Sequence, residues 1–167
     1  GFTPLDGIPM GTRPGTLDPG VLLHLLKQGM DVNTLHDMLY YRSGLLGVSG
    51  ISNDMQELLI SPSPEAAEAI DLFVYRTSRE IGSLAAALGG LDALVFTAGI
   101  GQYAIPVRAR VCQEAAWLGI QLDTVANAHH GPRLSTANSR VSVWVIATDE
   151  EQIIAQHSYS LVTCPTS

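Results

Sequence analysis

The sequence predicts an α/β fold, helix-rich and built around an incomplete parallel sheet. Three observations carry this expectation. Apolar residues recur at helical spacing over most of the chain. Two short runs, ALVFTA at residues 93–98 and VSVWVIA at 141–147, read as strands separated by a helix, so their natural pairing is parallel. Of the 167 residues, 46% are hydrophobic and 15% charged, which suits one domain with a core and argues against disorder. Two strands covered on both faces make a poor core alone. Either further strands escape detection, or the sheet is completed by strands from elsewhere.

Residues 1–16, rich in Gly and Pro, read as a loop. Asp18 can cap a first helix with Pro19 at its first position, Val21, Leu22, Leu25 and Leu26 as its apolar face and Gly29 as a left-handed stop. Asn33 can cap a second helix that buries Leu35, Met38 and Leu39 and stops at Gly44. SGLLGVSGISND (residues 43–54) is a glycine-punctuated connector with Leu45, Leu46, Val48 and Ile51 buried. Asn53 and Gln56 have capping-box spacing for a short helix through Leu58. Ser63-Pro64 opens the longest helix, whose stripe is Ala66, Ala69, Ile70, Phe73, Thr77, Ile81, Leu84 and Leu88, ending at Gly89-Gly90. Arg76, Arg79 and Glu80 fall on its solvated side.

After the first strand, a helix over 105–117 should bury Val107, Val111, Ala115 and Leu118. A loop carries His129 and His130. Beyond the second strand, Thr148 and Glu151 form another capping box, opening a last helix with Ile153, Ile154 and Ala155 on its apolar side. The closing TCPTS is expected to fray.

The formal net charge of −7 gives no footprint for a nucleic acid, although local cations can still serve a small anionic substrate. Cys112 and Cys164 have no metal-site spacing; one reads as an apolar helix residue, the other as a tail thiol, and both fit a reducing cytoplasm. No secretory leader is expected, and no apolar run is long enough to span a bilayer, so no membrane partner is expected.

Three constellations could carry chemistry. The strand–Gly-x-Gly–helix unit around Gly99 and Gly101 reads equally as a tight turn at positive φ or as a loop passing close to a phosphate or nucleotide. It is not the dinucleotide fingerprint, since G-I-G-Q-Y-A lacks the third glycine. Arg13, on the stiff loop MGTRPG (residues 10–15), can grip a carboxylate or phosphate through two parallel hydrogen bonds, or be an ordinary surface arginine. In TDEE (residues 148–151), capping by Glu151 would leave Asp149 and Glu150 free for a hard cation, or simply for the helix dipole. His129-His130 lacks a matching ligand cluster, and no serine sits in a G-x-S-x-G elbow.

Four stretches together, GFTPLDGIPMGTRPGTLDP (residues 1–19), SGLLGVSGISNDMQ (43–56), FTAGIG (96–101) and VIATDEEQIIA (145–155), resemble the acetate/propionate kinase family nearly end to end and in order. The resemblance implies the C-terminal portion of an actin/sugar-kinase/Hsp70-like (ribonuclease H-like) ATPase domain, spanning 1–167. The N-terminal domain and the first strands of this domain would lie outside it, which accounts for the strand deficit. It implies reversible transfer of the γ-phosphoryl of ATP to acetate, giving acetyl phosphate and ADP, with Mg²⁺. It assigns Arg13 to acetate and the transferring phosphoryl, and Pro4 to the acetate pocket. It assigns Asp54, Met55, Gln56 and Gly99, Ile100, Gly101, Gln102, Tyr103 to the nucleotide, and Glu150 to Mg²⁺. The implied partners are the missing N-terminal part and, as is usual in the family, a second copy in a homodimer.

The chain departs from the family pattern at three places. Gln102-Tyr103 replaces Glu-Asn, Gln56 stands where arginine is common, and Ala147 replaces a proline. A non-catalytic remnant with weak nucleotide affinity is therefore the alternative to a kinase part. Acetate versus propionate stays open.

Overall fold

A computed structural model describes residues 1–163, apart from the side chain of Glu150. The expectations for Cys164 and the closing residues lie outside it. In order, the described chain forms α1 (Pro19–Lys27), α2 (Val32–Tyr41), α3 (Gly44–Ser49), α4 (Met55–Ile60), α5 (Pro64–Leu88), β1 (Ala93–Phe96), α6 (Ala98–Tyr103), α7 (Ile105–Glu114), α8 (Thr124–Ala128), β2 (Ser142–Val145) and α9 (Glu150–Thr163). A 3-10 turn, Ala116–Leu118, follows α7.

β1 and β2 pair in parallel, with Ala93 opposite Ser142 and Phe96 opposite Val145. The segment around Leu134 runs antiparallel along the far side of β2, donating from Leu134 N–H to Val143 O at 2.7 Å. Among the described residues only β2 pairs with β1. The expectation of strands covered on both faces is corrected for β1. Its residues alternate between exposed and half-buried, and Val95 is 46% exposed. Leu94 and Phe96 on one face pack against the core, while the face carrying Ala93 and Val95 is more open among the described residues.

The core has two parts. Helix α5 lays Ala66, Ala69, Ile70, Phe73 and Val74 against Leu45 of α3, Met55 and Leu58 of α4, and Val107 and Val111 of α7. Around β2, Cys112, Ala115, Ile120, Leu134, Val141 and Val143 form the second part. Phe96 packs against both.

Several boundaries differ from expectation for identifiable reasons. Asp18 caps α1 as expected, accepting from Gly20 N–H at 2.7 Å, but only Leu22 and Leu25 of its stripe are half-buried. Helix α2 is capped by Asp31, not Asn33, because one carboxylate oxygen reaches the N–H groups of both Asn33 and Thr34. Asp54 likewise displaces Asn53 as the cap of α4. The glycine connector contains α3, and its Ile51 is exposed. Helix α5 begins at Pro64 behind Ser63 and stops at Gly89, whose φ is +74°. Leu84 and Leu88 are exposed, whereas Val74 and Ala85 are buried, so the buried face of the last turns runs through Ala85. The stretch expected as a loop before His129 holds α8, capped by Asp123. At α9, Asp149 rather than Thr148 provides the acceptor, for Gln152 N–H at 2.9 Å, and Ile153, Ile154 and Ala155 are exposed.

Strand β1 ends two residues before expectation, and the chain turns into α6 at Ala98, with φ +55°. The positive φ thus falls on an alanine, and neither Gly99 nor Gly101 adopts one. A left-handed L-residue costs about 1–2 kcal/mol, part of which a glycine returns as unfolded-state entropy. Ala98→Gly is therefore expected to stabilise the chain by about 0.5–1 kcal/mol, read as a raised denaturant midpoint. A midpoint that stays put or falls contradicts this.

Candidate functional site

The loop carrying Arg13 is fastened to the start of α3. The first turn of a helix has N–H groups without helical partners. Here Ser43, Leu45 and Leu46 donate to the carbonyls of Thr12, Met10 and Gly11, each at 2.9 Å. Met10 N–H donates to Arg13 O at 2.9 Å, and the Thr12 hydroxyl donates to Tyr40 O at 2.8 Å. Gly44, at φ +62°, makes the approach feasible, since a Cβ there would lie 2.1 Å from Met10 O. On this base the guanidinium of Arg13 lies 5.7 Å from the Tyr40 ring centroid, with Nη1 3.7 Å from Met10 Sδ. Its Nε is buried without a hydrogen-bond partner. Among the described residues no carboxylate forms an ion pair with it. A half-buried, preorganised and unneutralised guanidinium is suited to receive an anion.

The starts of α4 and α6 face each other across an open cleft of about 380 Å³ lined by Asn53, Asp54, Met55, Gln56, Gly99, Ile100 and Tyr103. That volume falls within the usual range of small-molecule sites, about 300–1,000 Å³. One oxygen of Asp54 is occupied in capping α4, accepting from Gln56 N–H at 2.7 Å. Met55 is buried and forms a wall, whereas Tyr103 is exposed at the rim. The two loops touch: a Cβ on Gly11 would lie 2.8 Å from Asn53 O.

The two glycines of the Gly-x-Gly unit separate in role. A Cβ on Gly101 would press to 3.2 Å from the Phe96 carbonyl carbon, so close packing of α6 on β1 favours glycine there. A Cβ on Gly99 would meet nothing within 4 Å. Gly101 lines a neighbouring apolar groove of about 530 Å³ that also includes Met10 and Gly11.

The structure thus brings Asp54, Met55, Gln56, Gly99, Ile100 and Tyr103 into one cleft. Gly101 lies next to it, and Gln102 turns its carbonyl inward, away from the cleft lining. Pro4 is exposed and does not line this cleft. Glu150 opens α9, but its side chain lies outside the described part of the structure. Asp149 beside it is engaged as a cap, which corrects the expectation that it is left free. Among the described residues no group of three His, Cys, Asp or Glu side chains is placed to hold a metal ion. No described helix is long and apolar enough to cross a membrane.

Sequence reasoning missed Asn53 in the cleft wall and Arg108 behind α6. Arg108 is 0% exposed, and its Nη1 donates to the carbonyls of Gly101 at 3.0 Å and Gln102 at 2.6 Å. The available signal was its position, four residues before Cys112 on the stripe that also holds Val111 and Ala115. Burial lowers the Arg108 guanidinium below its ordinary range, though an arginine still keeps its charge. Burial also pushes the Cys112 thiol up to about 12, so it stays protonated and unreactive.

The chain is similar to known proteins over nearly its whole length. The acetate kinase of Rhodopseudomonas palustris (strain TIE-1) is 59% identical over 164 residues, covering 96% of this chain and 41% of that protein. The acetate kinase of Nitrobacter hamburgensis is 54% identical over 163 residues, covering 97% of this chain and 40% of the relative. Among solved structures, Porphyromonas gingivalis acetate kinase superposes with a TM-score of 0.87 at 36% identity, over 98% of this chain and 43% of that one. A propionate kinase from Francisella tularensis superposes with a TM-score of 0.86 at 38% identity, over 93% and 41%. The helix-rich α/β fold with a two-stranded sheet therefore matches part of these structures, as the resemblance implied. The chain spans about two-fifths of the length of the curated relatives it matches. Residues 1–156 match the model of the acetokinase family, and the chain belongs to that family.

Proposed function

We propose that this chain is the C-terminal part of an acetate kinase-type phosphotransferase, which moves a phosphoryl group reversibly between ATP and acetate. The observation that carries the reading is the cleft between Asp54–Gln56 and Gly99–Tyr103, abutting the loop that holds an unneutralised Arg13. In this reading the cleft takes the adenosine, with Gly99 offering open backbone beside it. Arg13 binds acetate and the transferring phosphoryl, and Pro4 flanks the acetate. Phosphoryl transfer asks a protein mainly for positioning and charge compensation, and a fixed guanidinium supplies both.

Mg²⁺ fits a site poor in protein ligands, because it usually takes one or two carboxylates and completes its shell with phosphates and water. Glu150 is the carboxylate this chain would offer, and the ion would neutralise phosphate charge when bound. The remaining groups would come from the N-terminal part that completes the domain beside β1. The chain alone is accordingly expected to give no turnover. Acetyl phosphate made by the purified chain, trapped as the hydroxamate and lost in Arg13→Ala, would contradict that.

Gly99→Val tests the nucleotide cleft directly. A Cβ at this position meets no atom within 4 Å outside its own helix turn, so the fold should be retained with only a small helix-propensity cost. ATP affinity, by calorimetry with Mg²⁺ present, is expected to fall about tenfold or more, a loss of roughly 1.4 kcal/mol. Unchanged affinity removes the nucleotide from this cleft.

Tyr103 favours a second reading, since an exposed phenol stands at the rim where the family has an amide. In that reading the cleft has lost its nucleotide and the chain is a non-catalytic remnant. ATP binding restored only by Tyr103→Asn would support it.

A further inference from the structure

Arg108 is a fully buried charge that the proposed chemistry does not use, and no carboxylate answers it among the described residues. An unpaired buried charge is costly unless its donors are satisfied. Here they are satisfied almost wholly by uncharged oxygens at the ends of two short helices. Nη1 donates to Gly101 O and Gln102 O of α6. Nε donates to Asn127 Oδ1 at 2.8 Å, and Nη2 donates to Asn127 O at 2.9 Å, both on α8. These carbonyls lie at helix C-terminal ends, where the backbone dipoles favour a cation.

His130 closes the same cluster from outside. Its backbone is left-handed, with φ +59°, and its Nδ1 lies 2.9 Å from Gln102 O and 3.4 Å from Arg108 Nη2. The shorter contact is to a carbonyl, which can only accept, so Nδ1 carries the proton and donates to Gln102 O. Gln102 O thus receives donors from α7 and from the end of α8 together.

We propose that Arg108, with His130, is a positioning residue that fixes α6 so that Gly99, Ile100 and Tyr103 are held at the cleft in the geometry that binds nucleotide. This rests on the nucleotide reading of the cleft. The fork of a guanidinium spans carbonyls of two helices, which a lysine ammonium on a single nitrogen cannot reproduce. Gln102 enters the arrangement through its carbonyl, which meets both Arg108 and His130. Its contribution here is made through the main chain.

The test uses the chain itself, with two readouts: ATP affinity with Mg²⁺ by calorimetry, and amide hydrogen exchange across residues 98–104. Arg108→Lys is expected to speed exchange in that segment about tenfold or more and to weaken ATP by a similar factor. Because that variant alters a buried group, His130→Ala is measured beside it. His130 is exposed, so its removal should leave the rest of the exchange pattern unchanged while loosening 98–104 and weakening ATP severalfold. His130→Asn places an amide donor near the same spot and tolerates the left-handed backbone, so it should recover both readouts. Unchanged exchange in 98–104 for both Arg108→Lys and His130→Ala overturns the clamp. Faster exchange with undiminished ATP affinity overturns its positioning role. If the unsubstituted chain binds no ATP, the nucleotide reading falls and takes this role with it. That failure is distinguishable, because the exchange data still report whether the clamp exists.

Discussion

Gly44→Ala should dismantle the Arg13 loop and destabilise the chain by about 3 kcal/mol or more. Two costs combine. A left-handed backbone at an L-residue costs about 1–2 kcal/mol. The added methyl would also lie 2.1 Å from Met10 O, 2.6 Å from Arg13 O and 2.8 Å from Arg13 N, all main-chain atoms that cannot rotate away. Relief requires moving the loop off α3, which strands the donors of Ser43, Leu45 and Leu46 and the carbonyls they serve. A buried donor or acceptor left unpaired costs about 1–3 kcal/mol. The measurement is chemical denaturation, supported by exchange at the amides of Leu45 and Leu46. A loss below about 1 kcal/mol would mean that the loop is not fastened as described.

Arg13→Ala should instead leave the fold nearly intact and remove the chemistry. The Arg13 side chain makes only a long contact to Met10 Sδ and a stacking contact with Tyr40, so its truncation should cost within about 1 kcal/mol of stability. An arginine that compensates charge in phosphoryl transfer is worth about 10³-fold or more in rate. The assay is acetyl phosphate formation by this chain joined to the N-terminal part of the Rhodopseudomonas palustris relative. Arg13→Lys should rescue little, because an ammonium cannot make the paired, parallel hydrogen bonds of a guanidinium. A rate within tenfold of the unsubstituted protein would remove Arg13 from the reaction.

Much of this architecture is written in local pattern. The α5 stripe, the Ser63-Pro64 start, the Gly89 stop and the parallel pairing of two runs separated by a helix all follow from spacing and backbone chemistry. What escaped depends on choices between near neighbours or on tertiary contact. Asp31 and Asn33 are both good caps, and so are Asp54 and Asn53; the outcome turns on which oxygen reaches the free N–H groups, two of them for Asp31 and that of Gln56 for Asp54. Helix α8 is too short for periodicity to register. Leu84, Leu88 and Val95 look interior by residue type, yet among the described residues they stand exposed, because burial is set by tertiary contact and not by residue type. At the cleft, the two facing segments were legible as motifs, but not their closeness. The roles of Arg108 and His130 exist only once α6, α7 and α8 are folded together.

The unshared side of β1 has a consequence for handling the molecule. A strand with unpaired N–H and C=O groups and an apolar residue such as Val95 turned outward is a template for another strand. In concentrated solution the available template-filler is another copy, so self-association should rise with concentration and start at that margin. A lysine at position 95 would act as a gatekeeper there, keeping preparations dispersed while leaving the cleft between α4 and α6 untouched.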